Sequence, residues 1–268
     1  MKNPDAKAKI LQLPELTYRV WKVWRRNFDV FMKTWKVNFF PPLLEPIFYL
    51  AALGAGLQAL IGTSIEGHSY TQFIAPGIVA ITIMYSSFFE CTYGSFVRMY
   101  YQKTFDAIIA TPINIEEVIA GEILWGATRA VIGGSIVSAV VAAFGLISSP
   151  LFILILVVAF FSGLMFSAMA MCFTALAPSI DFFNYPQYLF ITPMFVLCGT
   201  FFPVTKLPEA LQVFAQAVLP LTHTINLARW LMFGSSELPI IVSIVWIAVV
   251  TPFFFVLAVN LMKRKLVK

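Results

Sequence analysis

The chain has 268 residues, of which 60% are hydrophobic and 12% charged, against about 45–50% and 25% for ordinary soluble domains. Its net charge of +5 is gathered at the ends, with nine of the 18 basic residues in the first 36 positions and four in the last six. These values exclude a soluble enzyme, a disordered tail and a disulfide scaffold, and the charge distribution points to lipid headgroups rather than nucleic acid. Charge-free stretches cover 46–65, 67–89, 130–180, 182–205 and 238–262. A spanning helix needs about 20 mainly apolar residues, so five stretches qualify and the longest, at 51 residues, holds two. The expectation is an all-α integral membrane protein with six transmembrane helices. Basic ends and an even span count put both termini in the cytoplasm. No cleavable signal is expected, because the first long apolar run begins only after residue 36.

In chain order, residues 15–36 carry the clearest helical periodicity. Arg19, Lys22, Arg25, Arg26, Asp29, Lys33 and Lys36 share one side of the wheel, and Leu16, Val20, Val23, Trp24, Phe28, Phe31 and Trp35 the other. A basic face opposite a Trp/Phe face suits a helix lying in the headgroup layer. Packing on a protein partner is the alternative, and both place the helix at the cytoplasmic surface. This divides the chain into a cytoplasmic N-terminus, 1–36, and a six-span membrane domain, 37–268.

The predicted spans are 38–61, 71–94, 118–147, 151–177, 187–203 and 238–262. Residues 98–122 between spans two and three hold a net charge of −2, against the positive-inside trend. Lys103, Thr104, Phe105, Asp106, Ala107 and Ile108 lead a short helix that Thr111-Pro112 stops, and Glu116 and Glu117 open the next one. A docking surface accounts for this acidic loop, as does an ordinary loop. Pro193 should kink span five. In the outer segment 205–236, a helix begins at Pro208, with Ala210, Leu211, Phe214, Ala217 and Val218 on one face, and ends at Pro220. A second helical run carries His223, Asn226 and Arg229. Two short amphipathic helices dipping into the outer leaflet fit this segment.

Candidate chemistry is sparse. There is no phosphate-binding G-x-x-x-x-G-K-[ST], no H-E-x-x-H and no paired Cys/His spacing. Cys91, Cys172 and Cys198 read as small buried hydrophobes, and His68 and His223 as solvated or capping residues of the outer loops. No catalytic residue and no metal site are expected, so uphill movement would draw energy from a partner or an ion gradient. Intramembrane charges are costly and tend to be functional. Glu90 and Arg129 could pair between spans two and three, or each could snorkel to the interface.

Over nearly its whole length the sequence resembles the type-2 ABC export permeases, and within them the nodulation-factor (lipo-chito-oligosaccharide) export permeases. The likeness runs through Glu45-Pro46-Ile47-Phe48-Tyr49, Gly54-Ala55-Gly56-Leu57, Tyr70-Thr71-Gln72-Phe73, Pro76-Gly77, Phe89-Glu90, Arg98-Met99, Phe105-Asp106-Ala107 and Gly121-Glu122. It continues through Ala175-Leu176-Ala177-Pro178-Ser179, Ile191-Thr192-Pro193-Met194, Phe202-Pro203-Val204 and Pro220-Leu221-Thr222-His223 with Arg229. Order and spacing, not any single piece, carry it. Arg129 departs from relatives that have Lys there.

The resemblance implies a homodimer bound to two copies of a separate ABC ATPase, which holds the ATP and Mg, while this chain binds no cofactor. It implies that Lys103–Ala110 is the coupling helix, 15–36 the interface helix (with Arg19, Lys22, Arg26 and Lys33), and 208–233 the re-entrant outer helices (with Pro208, Pro220, His223 and Arg229). The setting it implies is a bacterial inner membrane. The cargo would be a lipid-linked oligosaccharide, a polysaccharide or a similar amphiphile, with apolar drugs or lipids as the alternative. A membrane enzyme acting on lipid is the reading from another class, and it lacks clustered acids, His or a Ser nucleophile.

Overall fold

The computed structural model describes residues 14–56, 65 and 67–266. Its regular structure is helical, and among the described residues the β structure amounts to an isolated bridge between Ile65 and His68. Helix α1, Val20–Tyr49, continues into a wide π turn, Leu50–Ala55. Helix α2 runs over Tyr70–Tyr101, with π turns at Glu90–Gly94 and Val97–Tyr101. The short α3, Thr104–Ile109, precedes α4, Ile115–Ala143, and α5, Pro150–Leu176. Residues 180–197 form α6 in four short pieces. Then come α7, Glu209–Val218, α8, Pro220–Phe233, and α9, Ile240–Leu266.

Local chemistry sets these boundaries. Ser69 and Gln72 form a capping box that opens α2, and Asn114 with Glu117 does the same for α4. Pro150 and Pro220 start their helices, where a missing N–H costs nothing. Gly234, at φ +76°, ends α8 in the left-handed conformation that favours glycine. Pro193 falls directly after the π turn Gln187–Ile191. A widened turn there accommodates the proline ring, and the backbone stays right-handed helical on both sides of it.

Four helices among the described residues are long and apolar enough to cross a membrane: α2, α4, α5 and α9. The first expected span, 38–61, lies partly outside the described residues, and α6, where the fifth span is expected, is not among the four. Two other boundaries move. The helix expected over 15–36 starts at Val20 and runs without interruption past Lys36, so no break separates the basic segment from the apolar residues after it. The segment 98–122, expected between spans two and three, begins inside α2, which continues to Tyr101.

α2 is the central helix, with 72% of its most apolar stretch buried, whereas α9 is peripheral at 11%. α2, α4 and α5 approach closely where small residues meet. A Cβ at Gly126 would stand 2.6 Å from the Cys91 sulfur, and one at Gly163 would stand 2.5 Å from Ala130 Cβ. Lipid tails are as apolar as leucine, so such close packing holds membrane helices together where a hydrophobic drive does not.

Both described ends of the chain gather at one end of the bundle. The Glu15 N–H donates to Glu116 Oε2 at 2.5 Å, and the Thr17 hydroxyl donates to Glu117. Lys263 Nζ lies 2.6 Å from Glu116 Oε1, and Lys265 donates to the carbonyls of Thr174 and Ala177. Ser148 N–H donates to the Met232 carbonyl at the opposite end, joining the α4–α5 turn to α8.

Candidate coupling site and intramembrane charge network

The expected pair of Glu90 and Arg129 is part of a larger cluster. Arg129 Nε lies 3.3 Å from Glu90 Oε2, but Arg98 is the closer partner, with Nη1 2.8 Å from Glu90 Oε1. Arg98 also reaches across to α4, its Nη2 standing 2.6 Å and its Nε 2.9 Å from Glu122 Oε2. The Glu122 side chain is fully buried. It takes further hydrogen bonds from Ser95 Oγ at 2.8 Å and from Asn27 Nδ2 at 2.8 Å on α1. Arg129 itself turns toward α1, donating to Asn38 Oδ1 at 3.2 Å and stacking over Phe31 at 4.8 Å. Two carboxylates and two guanidinium groups thus balance one another where α1, α2 and α4 meet. A buried charge lacking a partner is costly, and each charge here faces an opposite one, although Arg129 Nε reaches Glu90 as an ion pair without a hydrogen bond.

The π turns of α2 lie within this cluster. Glu90 opens the first and Arg98 belongs to the second. Wide turns of this kind recur at functional sites, and here they bring Glu90 and Arg98 onto the side of α2 that meets Glu122. Gly94 leaves room for the pair: a Cβ there would stand 2.9 Å from Glu90 Oε1.

One step away stands α3. Lys103 adopts φ 54°, left-handed and unusual for a side-chain-bearing residue, and this sharp reversal separates α2 from α3. Phe105 is fully buried in the main apolar core, so it roots the helix. Lys103, Asp106 and Ala107 are exposed, and Thr104 and Ile108 are half-buried. Thr104 Oγ1 accepts from Arg26 at 3.3 Å, while the same guanidinium bonds its neighbour Asn27, whose amide reaches Glu122. A chain of polar contacts therefore leads from α3 through α1 to the charge cluster.

The acids expected to form an open docking surface are not free. Glu116 and Glu117 are buried and engaged by Glu15, Thr17 and Lys263. Part of the Trp/Phe face assigned to lipid is likewise packed on protein. Val23 is buried against Gly121, and the Trp24 indole donates to Thr128 Oγ1 at 2.8 Å. Trp24, Phe28 and Phe31 also pack against the Trp125 ring. Among the basic residues, Lys22 and Lys33 are exposed, Arg26 is half-buried, and Arg19 donates to the Pro112 carbonyl.

At the far end, α7 and α8 form a hairpin set beside α5 and α9. Pro208 caps α7 and accepts from the N–H groups of Leu211 and Gln212; Pro220 opens α8 rather than merely ending α7. Thr224 Oγ1 donates to Ser162 Oγ at 3.1 Å, about three turns inside α5. His223, expected in solvent, is buried. Its Nε2 lies 2.9 Å from the Gln216 carbonyl, its Nδ1 3.2 Å from Ser243 Oγ, and its ring stacks on Trp246 at 4.5 Å. Burial holds its pKa below the ordinary 6.5. Arg229 pairs with Glu237, donates to the Gly199 carbonyl at 2.9 Å and stacks over Phe73 at 4.4 Å, tying α8 to α2. Leu211, Phe214 and Val218 of α7 remain exposed.

Sequence reasoning missed Arg98, Glu122 and Asn27 as members of one site. Arg98 looked like a loop charge because the span was ended at residue 94. Glu122 enters the sequence reading only through the net charge of 98–122 and the Gly121-Glu122 motif. The available signal was that Glu90, Arg98, Glu122 and Arg129 sum to zero charge at adjoining ends of two neighbouring spans.

A family model described as ABC-2 type transporter matches residues 18–233. Nodulation protein J of Rhizobium leguminosarum bv. trifolii is 38% identical over 248 residues, covering 92% of this chain and 93% of the relative. Nodulation protein J of Rhizobium meliloti (strain 1021) is 37% identical over 262 residues, covering 97% and 98%. The inner membrane transport permease YadH of Escherichia coli (strain K12) is 22% identical over 242 residues, covering 90% and 93%. With the helical bundle and the coverage of its relatives both in place, the chain belongs to the ABC-2 type transporter family, a family of transport permeases.

Proposed function

We propose that this chain is the membrane subunit of an ATP-driven exporter for a lipid-linked oligosaccharide or a similar amphiphile. It works as a six-span homodimer in a bacterial inner membrane, with both termini in the cytoplasm. Two copies of a separate ATPase bind the ATP and Mg, and α3 seats against each of them. The observation that carries this reading is the construction of α3: a short helix with exposed Asp106 and Ala107, rooted by Phe105 and joined through Arg26 and Asn27 to the buried charge cluster. A rigid protrusion of that kind transmits a push, whereas a loose loop absorbs it. The basic part of α1 lies along the inner surface, and the α7–α8 hairpin re-enters the outer leaflet. The sequence resemblance to the nodulation-factor (lipo-chito-oligosaccharide) export permeases supports a glycolipid cargo over an apolar drug.

The test is co-expression with a candidate ABC ATPase. Asp106→Arg with Ala107→Trp should abolish co-purification and lower stimulated ATP hydrolysis about tenfold, equivalent to ~1.4 kcal/mol, with folded permease unchanged. Survival of both properties would overturn the coupling assignment. Movement of a hydrophobic dye but not of glycolipid in inverted vesicles would overturn the cargo.

A further inference from the structure

A cavity of about 630 Å³ opens between α5, α8 and α9, lined by none of the residues of the charge cluster or of α3. Three helical faces build it. Leu154, Val157 and Phe161 come from α5, Leu227 and Trp230 from α8, and Ile244, Ala248 and Thr251 from α9. Spacings of three and four residues put each set on one stripe of its helix. The volume falls within the roughly 300–1,000 Å³ range of small-ligand sites.

We propose that this groove holds an acyl chain of a phospholipid from the leaflet at the α8 end of the bundle. Its length is the first argument. From Ile240 to Thr251 the α9 wall rises about 17 Å at 1.5 Å per residue, close to the ~15 Å of one leaflet's hydrocarbon. Its chemistry is the second. Two hydroxyls occur in the wall, and both are engaged: Ser162 Oγ accepts from Thr224 at 3.1 Å, and Thr251 Oγ1 donates to the Ile247 carbonyl at 2.7 Å. A sugar or peptide would leave its own polar groups unpaired against such a wall, which costs free energy, and a hydrocarbon chain would not. Orientation is the third. Met232, two residues beyond Trp230, bonds the Ser148 turn at the membrane-exit end. Trp230 therefore stands near the mouth, at the depth where indole rings favour the headgroup boundary. The lipid occupies the wedge between the α8 hairpin and two spans, filling space that the helices leave open. This inference rests on membrane embedding alone and is independent of the cargo.

The full chain, with its ATPase where the two co-purify, is extracted in mild detergent and weighed by native mass spectrometry. The expected spectrum carries one phospholipid per chain. Ala248→Trp and, separately, Val157→Phe fill the groove and lower the lipid-bound fraction about tenfold, equivalent to ~1.4 kcal/mol. Val245→Trp, on the exposed side of α9, keeps the lipid. Gel filtration and melting temperature identify the folded variants on which the comparison is made. Equal lipid retention in folded groove-filled variants would overturn the proposal. So would retention of lipid-linked glycan alone, or efficient cross-linking of Ile244→Cys to a second copy, which would give the groove to another occupant.

Discussion

The Arg98 guanidinium stands 2.6 Å from the Glu122 carboxylate, fastening the end of α2 to the first third of α4. Neither residue stands out alone in the sequence, yet together they anchor a cluster that also takes in Glu90, Arg129 and Asn27. The cluster replaces a simple two-residue pair and reorders the consequences of mutation.

Arg98→Gln should be the most damaging change in the cluster, because it strips two buried carboxylates of their shared cation. A loss of about 3–5 kcal/mol is expected for a broken buried pair. Arg129→Gln should cost clearly less, since Glu90 keeps Arg98 at 2.8 Å. Melting of the purified variants in detergent measures the order, and equal losses would mean that Glu90 depends on Arg129.

The basic segment of α1 should stay docked when its exposed charges are reversed. Lys22→Glu with Lys33→Glu leaves the Trp24–Thr128 hydrogen bond and the rings around Trp125 intact. Trp24→Ala removes that anchor, including aromatic contacts worth about 0.5–1.5 kcal/mol beyond their area. A Val23→Cys reporter, buried in the parent, should become thiol-reactive with Trp24→Ala only. Labelling in the charge-reversed protein would show that headgroup attraction holds the helix.

Lys103 is held at φ 54°, a conformation costing a non-glycine residue roughly 1–2 kcal/mol. Lys103→Gly should therefore hold or raise thermal stability, while Lys103→Val should lower it by at least about 1 kcal/mol, since a β-branched residue suits that region worst. Chemical denaturation resolves the two. A more stable valine variant would remove the strain argument.

Protonation of His223 should loosen the α8 hairpin. Its folded pKa lies below 6.5 through burial, so as pH falls below about 6.5 the unfolded chain takes up a proton that the folded one refuses. Stability is then complete above that value and falls with decreasing pH, by at most about 1.4 kcal/mol per unit for one group. The slope of melting temperature between pH 7.5 and 5.5 measures it, and His223→Gln should flatten the curve. An unchanged slope would place the titrating group elsewhere.

Composition and charge spacing by themselves determined that this is a helical membrane chain, because continuous apolar runs of about 20 residues suit helices that satisfy their own backbone, whereas barrel strands are shorter and alternate. They also located the outer helices, since Pro208 and Pro220 are local stops and starts that act without tertiary context. The family, too, was legible, carried by motif order along the whole chain. Tertiary structure alone decided the rest. Which face of a helix meets which neighbour depends on rotation about its axis, and the π turns at Glu90–Gly94 and Val97–Tyr101 shift that rotation. No residue pattern announces such turns. Phe105, Trp24, Glu116 and His223 were each assigned to solvent, lipid or a partner by their own chemistry, and each is buried or packed because another part of the same chain covers it. Burial is a property of the neighbours as much as of the residue, and those neighbours lie as far as 147 positions away, as Lys263 does from Glu116.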